Sequence, residues 1–287
     1  MAGVDPANGG FAGFLAACRS NLGLRIISSL LLAPLALAVA YAGALPFALF
    51  WSAAALIVLW EWDTLVCAHD KQPVLILGMV ALAGTTLLLA FDSPGMAAAL
   101  IILGMFGVAA LSSRTRRAWC TLGLAYAAAL QMAPTILRSD PAWGFTAVVF
   151  LFVIVWGTDI AAYFTGRALG GPKLWSQISP NKTWSGAVGG AAAGIVGGIA
   201  VARYAGVSDL AAVGAVAFAL SVAAQAGDLA ESAVKRRFNA KDAGTLLPGH
   251  GGLMDRVDGF LVAAVVALVI GAARGGLGAP ARGLMVW

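Results

Sequence analysis

Charged residues are scarce in this 287-residue chain, where Asp, Glu, Lys and Arg together make up 11% of the sequence. Soluble domains ordinarily carry about a quarter charged residues. Hydrophobic residues make up 61%, and apolar runs long enough to cross a bilayer as helices recur along the whole length. This composition does not fit a water-soluble globule. Because the runs are continuous rather than alternating, they favour helices over a closed barrel.

Cysteine is also sparse, and its spacing follows no known pattern. The three cysteines, Cys18, Cys67 and Cys120, are odd in number, far apart and free of CxxC spacing. The sequence therefore predicts neither a disulfide framework nor a zinc site, and buried reduced thiols are the simpler interpretation. The N-terminus lacks a basic start followed by an apolar core and a cleavage site, so we expect no removable signal peptide.

The apolar runs and their polar interruptions predict an all-α, polytopic integral membrane protein with about nine transmembrane helices. The nine candidate spans cover residues 26–43, 45–60, 73–91, 95–111, 118–137, 144–165, 184–202, 209–230 and 257–273. We expect a single membrane domain over residues 1–287. Residues 1–143 would mainly supply scaffold helices, and residues 144–287 would form the catalytic half, because the densest polar segments begin at Asp159.

The basic residues that give the chain its net charge of +5 lie at the ends of apolar segments rather than in one soluble patch. This distribution indicates membrane orientation and argues against a nucleic-acid partner. With the N-terminus inside, 14 of the 18 Lys and Arg residues fall on the cytoplasmic side of the nine spans. The sequence thus predicts a multi-pass protein of the cell inner (cytoplasmic) membrane, with its active site on the cytoplasmic side.

Glycines recur every four residues in the seventh span, at Gly186, Gly190, Gly194 and Gly198. At this spacing they share one helix face, and the missing side chains let a neighbouring helix approach closely. We interpret this face as a packing surface within the fold. It could also serve as the contact of a homodimer.

Polar residues are densest between the eighth and ninth spans. If these spans are helical, one helix carries Asp228, Ser232 and Lys235 on one face, and the next carries Asp255 and Asp258 together at its start. A glycine-rich hinge at residues 248–252 separates the two sets, and its backbone amides could approach an anion. Carboxylates beside clustered cations suit a polyphosphate bridged by Mg²⁺. The alternative is a solvated, salt-bridged loop whose positive residues only set the topology.

A second polar segment joins the sixth and seventh spans on the same predicted side. Asp159 lies within a span, where a carboxylate is costly and is a functional candidate by default. It could instead form a structural pair with Arg167, further along the same helix. In residues 179–183, a proline and cap-capable residues such as Thr183 predict a turn that opens the next helix. Lys182 and the first amides of that helix could receive a phosphate.

The segment from Ser232 to Asp258 fits the pattern SxxKRxxxxKDxxxxLPxHGGxxDRxD, which closely resembles the signature of the phosphatidate cytidylyltransferase family. The preceding GDLAES and the upstream DxxAYFxGRxxG and SPxKT segments are also similar to that family. Ser185 departs from the family pattern, in which we expect Glu. The resemblance covers about the last half of the chain, whereas the first half matches only as hydrophobic spans.

The resemblance implies an enzyme of phospholipid biosynthesis that joins CTP to phosphatidic acid, giving CDP-diacylglycerol and pyrophosphate with Mg²⁺ as cofactor. It implies catalytic roles for Asp228, Asp255, Lys235, Arg236 and Lys241, and substrate contacts by Ser232, Lys182, Arg256, His250, Asp159 and Arg167. The metal would be held by Asp228 and Asp255, with Asp258 and Asp242 as supporting carboxylates. His250 could instead be a hydrogen-bonded structural residue of the tight turn.

Two other functions remain open at the level of sequence. A related CTP-dependent transferase that acts on another lipid phosphate would carry the same motifs, because no residue can be assigned to the lipid chains. An ion-coupled transporter could use Asp159 and Asp228 as an ion path. The polar segments gather on one predicted side, however, and no inverted repeat is visible, which argues against a transporter.

Overall fold

The computed structural model describes residues 33–67, 71–244 and 251–287, and these contain eight helices long and apolar enough to cross a membrane. They are α2 (Ala44–Val66), α3 (Lys71–Ala90), α4 (Pro94–Leu111), α5 (Arg117–Arg138), α6 (Gly144–Leu169), α7 (Trp184–Tyr204), α8 (Leu210–Arg237) and α9 (Met254–Gly275). A shorter apolar helix, α1 (Ala33–Ala42), precedes them, and α10 (Pro280–Met285) follows. The prediction of a helical, polytopic membrane protein is confirmed. The first predicted span, 26–43, lies partly outside the described residues.

The helices begin and end at residue types that favour those boundaries. Pro94 opens α4, where its missing N–H would have no intrahelical acceptor in any case. Asp209 caps α8, because its Oδ1 accepts the N–H of Ala212 at 2.9 Å. Gly170 ends α6 with a φ of 60°, a left-handed conformation that side chains disfavour. Local sequence therefore accounts for these boundaries.

A short antiparallel hairpin joins α6 to α7, made of β1 (Lys173–Trp175) and β2 (Ser179–Thr183). The sequence predicted only a turn here, because strands of three and five residues leave no clear alternating pattern. Thr183, at the end of β2, caps α7 by accepting the N–H of Gly186 at 3.1 Å. Its predicted role in opening this helix is confirmed.

The glycine face of α7 packs against its two neighbours within the chain. A methyl group at Gly186 would lie 2.8 Å from the carbonyl oxygen of Ala162 in α6. One at Gly198 would lie 2.7 Å from Cβ of Ala217 in α8. The predicted packing role is therefore confirmed. The face is filled by α6 and α8, which leaves no room there for a homodimer contact.

Buried polar bonds hold the first half of the chain together. Nε2 of Gln131 in α5 donates to Oγ of Ser52 in α2 at 3.0 Å and to Oγ1 of Thr86 in α3 at 2.8 Å. It also lies 3.1 Å from the carbonyl oxygen of Leu82. Inside a membrane, such bonds join helices that have little hydrophobic reason to associate.

Two cysteines overturn the prediction that all thiols are reduced. Cys67, just after α2, and Cys120, in the first turn of α5, form a disulfide across a sequence separation of 53 residues. Both residues are buried, as predicted. The unpaired state is wrong because the fold brings the ends of α2 and α5 together, with the two Cα atoms 5.7 Å apart. Cys18 lies outside the described residues.

Candidate functional site

Two polar segments that are far apart in the sequence meet at one end of the helix bundle. Strand β2 places Lys182 so that its Nζ forms an ion pair with Oδ2 of Asp228 in α8. Ser232, one turn further along α8, donates to Oδ1 of Asp228 at 3.4 Å. The hairpin and the signature segment therefore build one site, as their placement on the same predicted side suggested.

Lys235 is held between two carboxylates. Its Nζ lies 2.6 Å from Oε2 of Glu231, one turn earlier in α8, and 2.5 Å from Oδ1 of Asp255, at the start of α9. The side chains of Lys235, Glu231 and Asp255 are 11%, 0% and 8% exposed. Shielding from water strengthens these ion pairs relative to surface pairs.

Asp255 also accepts hydrogen bonds from two backbone amides that precede α9 in the sequence. Its Oδ2 accepts the N–H of Gly252 at 2.8 Å and that of Ala243 at 3.0 Å. These donors lie on either side of residues 245–250, which the structure does not describe. Gly251 has a φ of 80°, and a methyl group there would lie 2.7 Å from Oδ2 of Asp255. The glycine is therefore needed both for its backbone conformation and for its small size.

Lys182, Asp228, Lys235 and Asp255 line one cavity of about 1450 Å³. Its charged lining comprises Asp159, Arg167, Lys173, Lys182, Asp228, Lys235, Asp242, Asp255, Arg256 and Asp258. Its apolar lining includes Phe50, Trp51, Ile57, Phe152, Trp156, Ile160 and Phe260. A cavity with both linings can hold a molecule that has a charged head and a hydrocarbon body.

The structure does not form the predicted alternative pair between Asp159 and Arg167. Both residues line the cavity, but Nη1 of Arg167 donates to Oη of Tyr163 at 3.0 Å instead. Tyr163 lies one turn before Arg167 on the same helix, closer than Asp159. Both Asp159 and Arg167 therefore stay candidates for substrate contact.

Arg236 and Lys241 stand apart from the other predicted site residues. Arg236 is exposed, and its Nε donates to the carbonyl oxygen of Ile178 at 3.4 Å, which ties the end of α8 to the hairpin. Lys241 is also exposed. Neither of them, nor the predicted substrate contact Ser232, belongs to the described residues that line the cavity. The prediction for His250 lies outside the described residues.

The donor chemistry of the site fits Mg²⁺, although the protein groups alone do not enclose an ion. Mg²⁺ is usually held by one or two carboxylates while phosphates and waters complete its shell. Asp228, Asp242, Asp255 and Asp258 all line the cavity. Within residues 33–67, 71–244 and 251–287, however, no three His, Cys, Asp or Glu side chains are grouped closely enough to hold a metal. A metal here would also need oxygen atoms of a bound phosphate.

Glu61, which sequence reasoning overlooked, contacts the signature segment from the first half of the chain. Its Oε1 accepts the N–H of Leu253 at 2.8 Å, and its Oε2 accepts that of Met254 at 2.7 Å. The residue is 1% exposed. A carboxylate at the end of an apolar run was the available signal, because ionisable groups within membrane helices need partners.

Comparison with known proteins gives one consistent family. The model of the cytidylyltransferase family matches residues 23–273. The phosphatidate cytidylyltransferase of Brucella suis biovar 1 is 44% identical over 254 residues, which are 88% of this chain and 94% of the relative. The Brucella abortus biovar 1 protein of that name is 43% identical over the same shares. The Bacillus subtilis one is 41% identical over 133 residues, 44% of this chain and 47% of the relative. These matches confirm the resemblance carried by the signature.

Proposed function

Since the chain belongs to the cytidylyltransferase family, we propose that it joins CTP to phosphatidic acid, forming CDP-diacylglycerol and releasing pyrophosphate. The observation that carries this proposal is the cavity in which both signature segments supply charged groups beside an apolar lining. Its charged part suits phosphate groups, and its apolar part suits a lipid. The enzyme class predicted from the sequence, a nucleotidyltransferase, agrees with the relatives over 88% of the chain.

The reaction requires little proton transfer by the enzyme. An oxygen of the phosphatidate phosphate attacks the α-phosphorus of CTP, and the bond from that phosphorus to pyrophosphate breaks. A phosphate monoester has a second pKa of about 6, so it is already largely ionised near neutral pH. No strong general base is needed, and positioning with charge neutralisation supplies most of the rate enhancement.

Lys182 and Lys235 are the cations best placed to receive phosphate groups. Lys182 reaches the cavity from the hairpin and Lys235 from α8, so they approach a ligand from different elements. Each is ion-paired with a carboxylate that could be exchanged for a phosphate group of the substrate. Arg256, which also lines the cavity, would add a further contact to phosphate.

The metal is part of the same proposal. Asp228 and Asp255 would hold Mg²⁺ from two different helices, with Asp258 and Asp242 in support. When bound, Mg²⁺ supplies positive charge that offsets the negative charge developing on pyrophosphate. Lysine ammonium groups contact both Asp228 and Asp255, so with a metal held by these carboxylates the ammonium groups would contact phosphates instead. Asp258 also lines the cavity, and its Oδ1 accepts the N–H of Gly259 at 2.8 Å.

We place the protein in the cell inner (cytoplasmic) membrane with the cavity facing the cytoplasm, from which CTP arrives. The distribution of Lys and Arg supports this orientation. Single cysteine labels at Ser113 and Ala240 should react only from the cytoplasmic side, and a label at Asp140 only from the other. Reaction of the Ala240 label from outside would reverse the orientation.

Pyrophosphate release tests the proposed function directly. The full-length protein, purified in detergent and supplied with Mg²⁺, should release pyrophosphate only when both CTP and phosphatidic acid are present. Diacylglycerol, which lacks the phosphate, should not replace phosphatidic acid, and ATP should replace CTP poorly. An isoprenoid phosphate tests the alternative of another lipid substrate. Equal release of pyrophosphate without any lipid phosphate would disprove the assignment.

A further inference from the structure

We propose that Glu61 is a positioning residue for the transfer reaction, an inference that rests on the function proposed above. Glu61 lies in α2, in the half of the chain that carries no signature residue, and it is 1% exposed. Its two carboxylate oxygens accept the N–H groups of Leu253 and Met254, at 2.8 Å and 2.7 Å. A helix of the first half thereby fixes where α9 begins.

The start of α9 has no cap of its own. Leu253 occupies the N-cap position, and its side chain makes no capping hydrogen bond. The first N–H groups of a helix lack intrahelical acceptors, so a buried helix start needs acceptors from elsewhere. Glu61 supplies two oxygens, and its negative charge interacts favourably with the aligned peptide dipoles at this end. Glu61 therefore accepts the first N–H groups of α9, as an N-cap side chain does in other helices.

The capped residues lie directly beside Asp255. Oδ1 of Asp255 contacts Nζ of Lys235 at 2.5 Å, and its Oδ2 accepts the N–H of Gly252 at 2.8 Å. A movement of the start of α9 would therefore move a carboxylate of the site. A displacement of about 1 Å from a remote change can cost about 10²-fold in rate. Glu61 is not among the described residues that line the cavity, so it acts through Asp255 rather than on substrate.

Two glycines of the signature segment pack against the carboxylate of Glu61. A methyl group at Gly252 would lie 2.8 Å from both of its oxygens, and one at Gly244 would lie 3.0 Å from Oε1. Gly244 precedes and Gly252 follows residues 245–250, so described residues on both sides of that stretch pack against Glu61. A side chain at position 252 would push the carboxylate away from the two amides without removing its charge.

Glu61→Gln is the primary test, because it keeps the shape but sets an NH₂ group against one of two backbone donors. We expect kcat to fall about tenfold or more while KM for CTP and phosphatidic acid changes less than about threefold. Hydrogen exchange at the amides of Leu253 and Met254 should become faster. A purely structural role would lower the melting temperature and speed this exchange but would not move kcat of the folded protein.

Matched variants keep the test decisive. Gln131→Leu also removes a buried polar group of the first half, and it should lower the melting temperature while kcat of the folded protein stays within about twofold. If Glu61→Gln does not fold, Gly252→Ala replaces it, with the same loss of kcat and the same faster exchange expected. Gly95→Ala is its control, because a methyl group at Gly95 meets nothing within 4 Å.

Three results would overturn the inference: normal kcat in the folded Glu61→Gln and Gly252→Ala variants, a loss of kcat with unchanged exchange at the two amides, or faster exchange with normal kcat. The wild-type assay separates this inference from the function on which it rests. If the wild-type protein released no pyrophosphate from CTP and phosphatidic acid, the proposed function would fail. If only the inference fails, wild-type activity is unaffected.

Discussion

The two halves of the chain use their buried polar groups in opposite ways. In the first half, Gln131 of α5 donates to Ser52 of α2 and Thr86 of α3, so neutral side chains link these three helices. In the second half, charged side chains gather at one end of α6 to α9 and line a cavity. Neutral bonds hold helices together, whereas under the proposed function ion pairs such as Lys182 with Asp228 would be exchanged for contacts to a charged ligand. Neutral bonds thus link helices of the first half and ion pairs lie at the cavity, and Glu61, a buried carboxylate of the first half that binds the start of α9, is the exception.

Removal of a charge from the second half should cause the largest loss of turnover, and this loss tests the contrast between the two halves. Asp228→Asn keeps the shape beside Lys182 but removes one negative charge, so metal affinity and charge neutralisation should both decrease. We expect turnover, measured as pyrophosphate release, to drop about 10²-fold or more while the protein still folds. Asp92→Asn, the same change at an exposed position between α3 and α4, is the control. Retained Mg²⁺-dependent turnover in Asp228→Asn would move the metal site toward Asp159, Asp242 or Asp258.

Removal of the cation between two carboxylates should affect both stability and turnover. Lys235→Met leaves Glu231 and Asp255 buried without their shared ammonium, and breaking such a pair costs about 3 kcal/mol of the free energy of unfolding. We expect turnover to fall at least about tenfold as well. Adding Glu231→Gln should recover part of the stability but not the turnover. Unchanged unfolding in denaturant would show that these ion pairs contribute nothing to stability.

Removal of a buried polar group from the first half should lower stability and leave turnover nearly unchanged. Gln131→Leu removes the donor shared by Ser52 and Thr86, and it should lower the free energy of unfolding by about 1 to 2 kcal/mol. Turnover per folded molecule should stay within about twofold of the wild type, because these bonds do not reach the cavity. A large loss of turnover would instead show that the first half controls the site through more than Glu61.

The smallest loss of stability is expected at the start of α7. Oγ of Ser185 donates to the carbonyl oxygen of Gly170 and lies 3.0 Å from Oγ1 of Thr183, so it ties the start of α7 to the end of α6. Ser185→Ala should cost about 1 kcal/mol of stability and less than about fivefold in turnover. Ser139→Ala, which removes an exposed serine bond at the end of α5, is the control. A loss as large as that of Asp228→Asn would place Ser185 in contact with substrate.

The helices and the charged segments could be predicted from the sequence because both are local properties. Apolar length predicts a membrane span, and the spacing from Ser232 to Asp258 is written in one continuous stretch. The meeting of Lys182 and Asp228 followed from their placement at span ends on one predicted side. The composition and the boundaries of the spans therefore account for most of the correct predictions.

Contacts between remote backbone and side chains could not be predicted in this way. Glu61 accepts the N–H groups of Leu253 and Met254, which lie 192 and 193 positions later. Every residue except proline has a backbone N–H, so the sequence does not indicate which ones a distant carboxylate binds. The disulfide between Cys67 and Cys120 depends on two helix ends that meet only in the folded bundle. The hairpin is too short to show a strand pattern. Each failure concerns a contact that only the tertiary packing of the helices creates.

The mixed lining of the cavity has a consequence for how substrate and product move. Transfer of a hydrocarbon chain into water costs about 0.8 kcal/mol for each CH₂ group, so full extraction of a diacyl lipid would cost tens of kcal/mol. If phosphatidic acid binds as proposed, its chains would lie beside Phe50, Trp51 and Phe152 and would exchange one apolar surrounding for another. Only the phosphate would change its environment on entry. Product release would then be sideways diffusion within the membrane, with a rate that depends on the enlarged head group rather than on the chains.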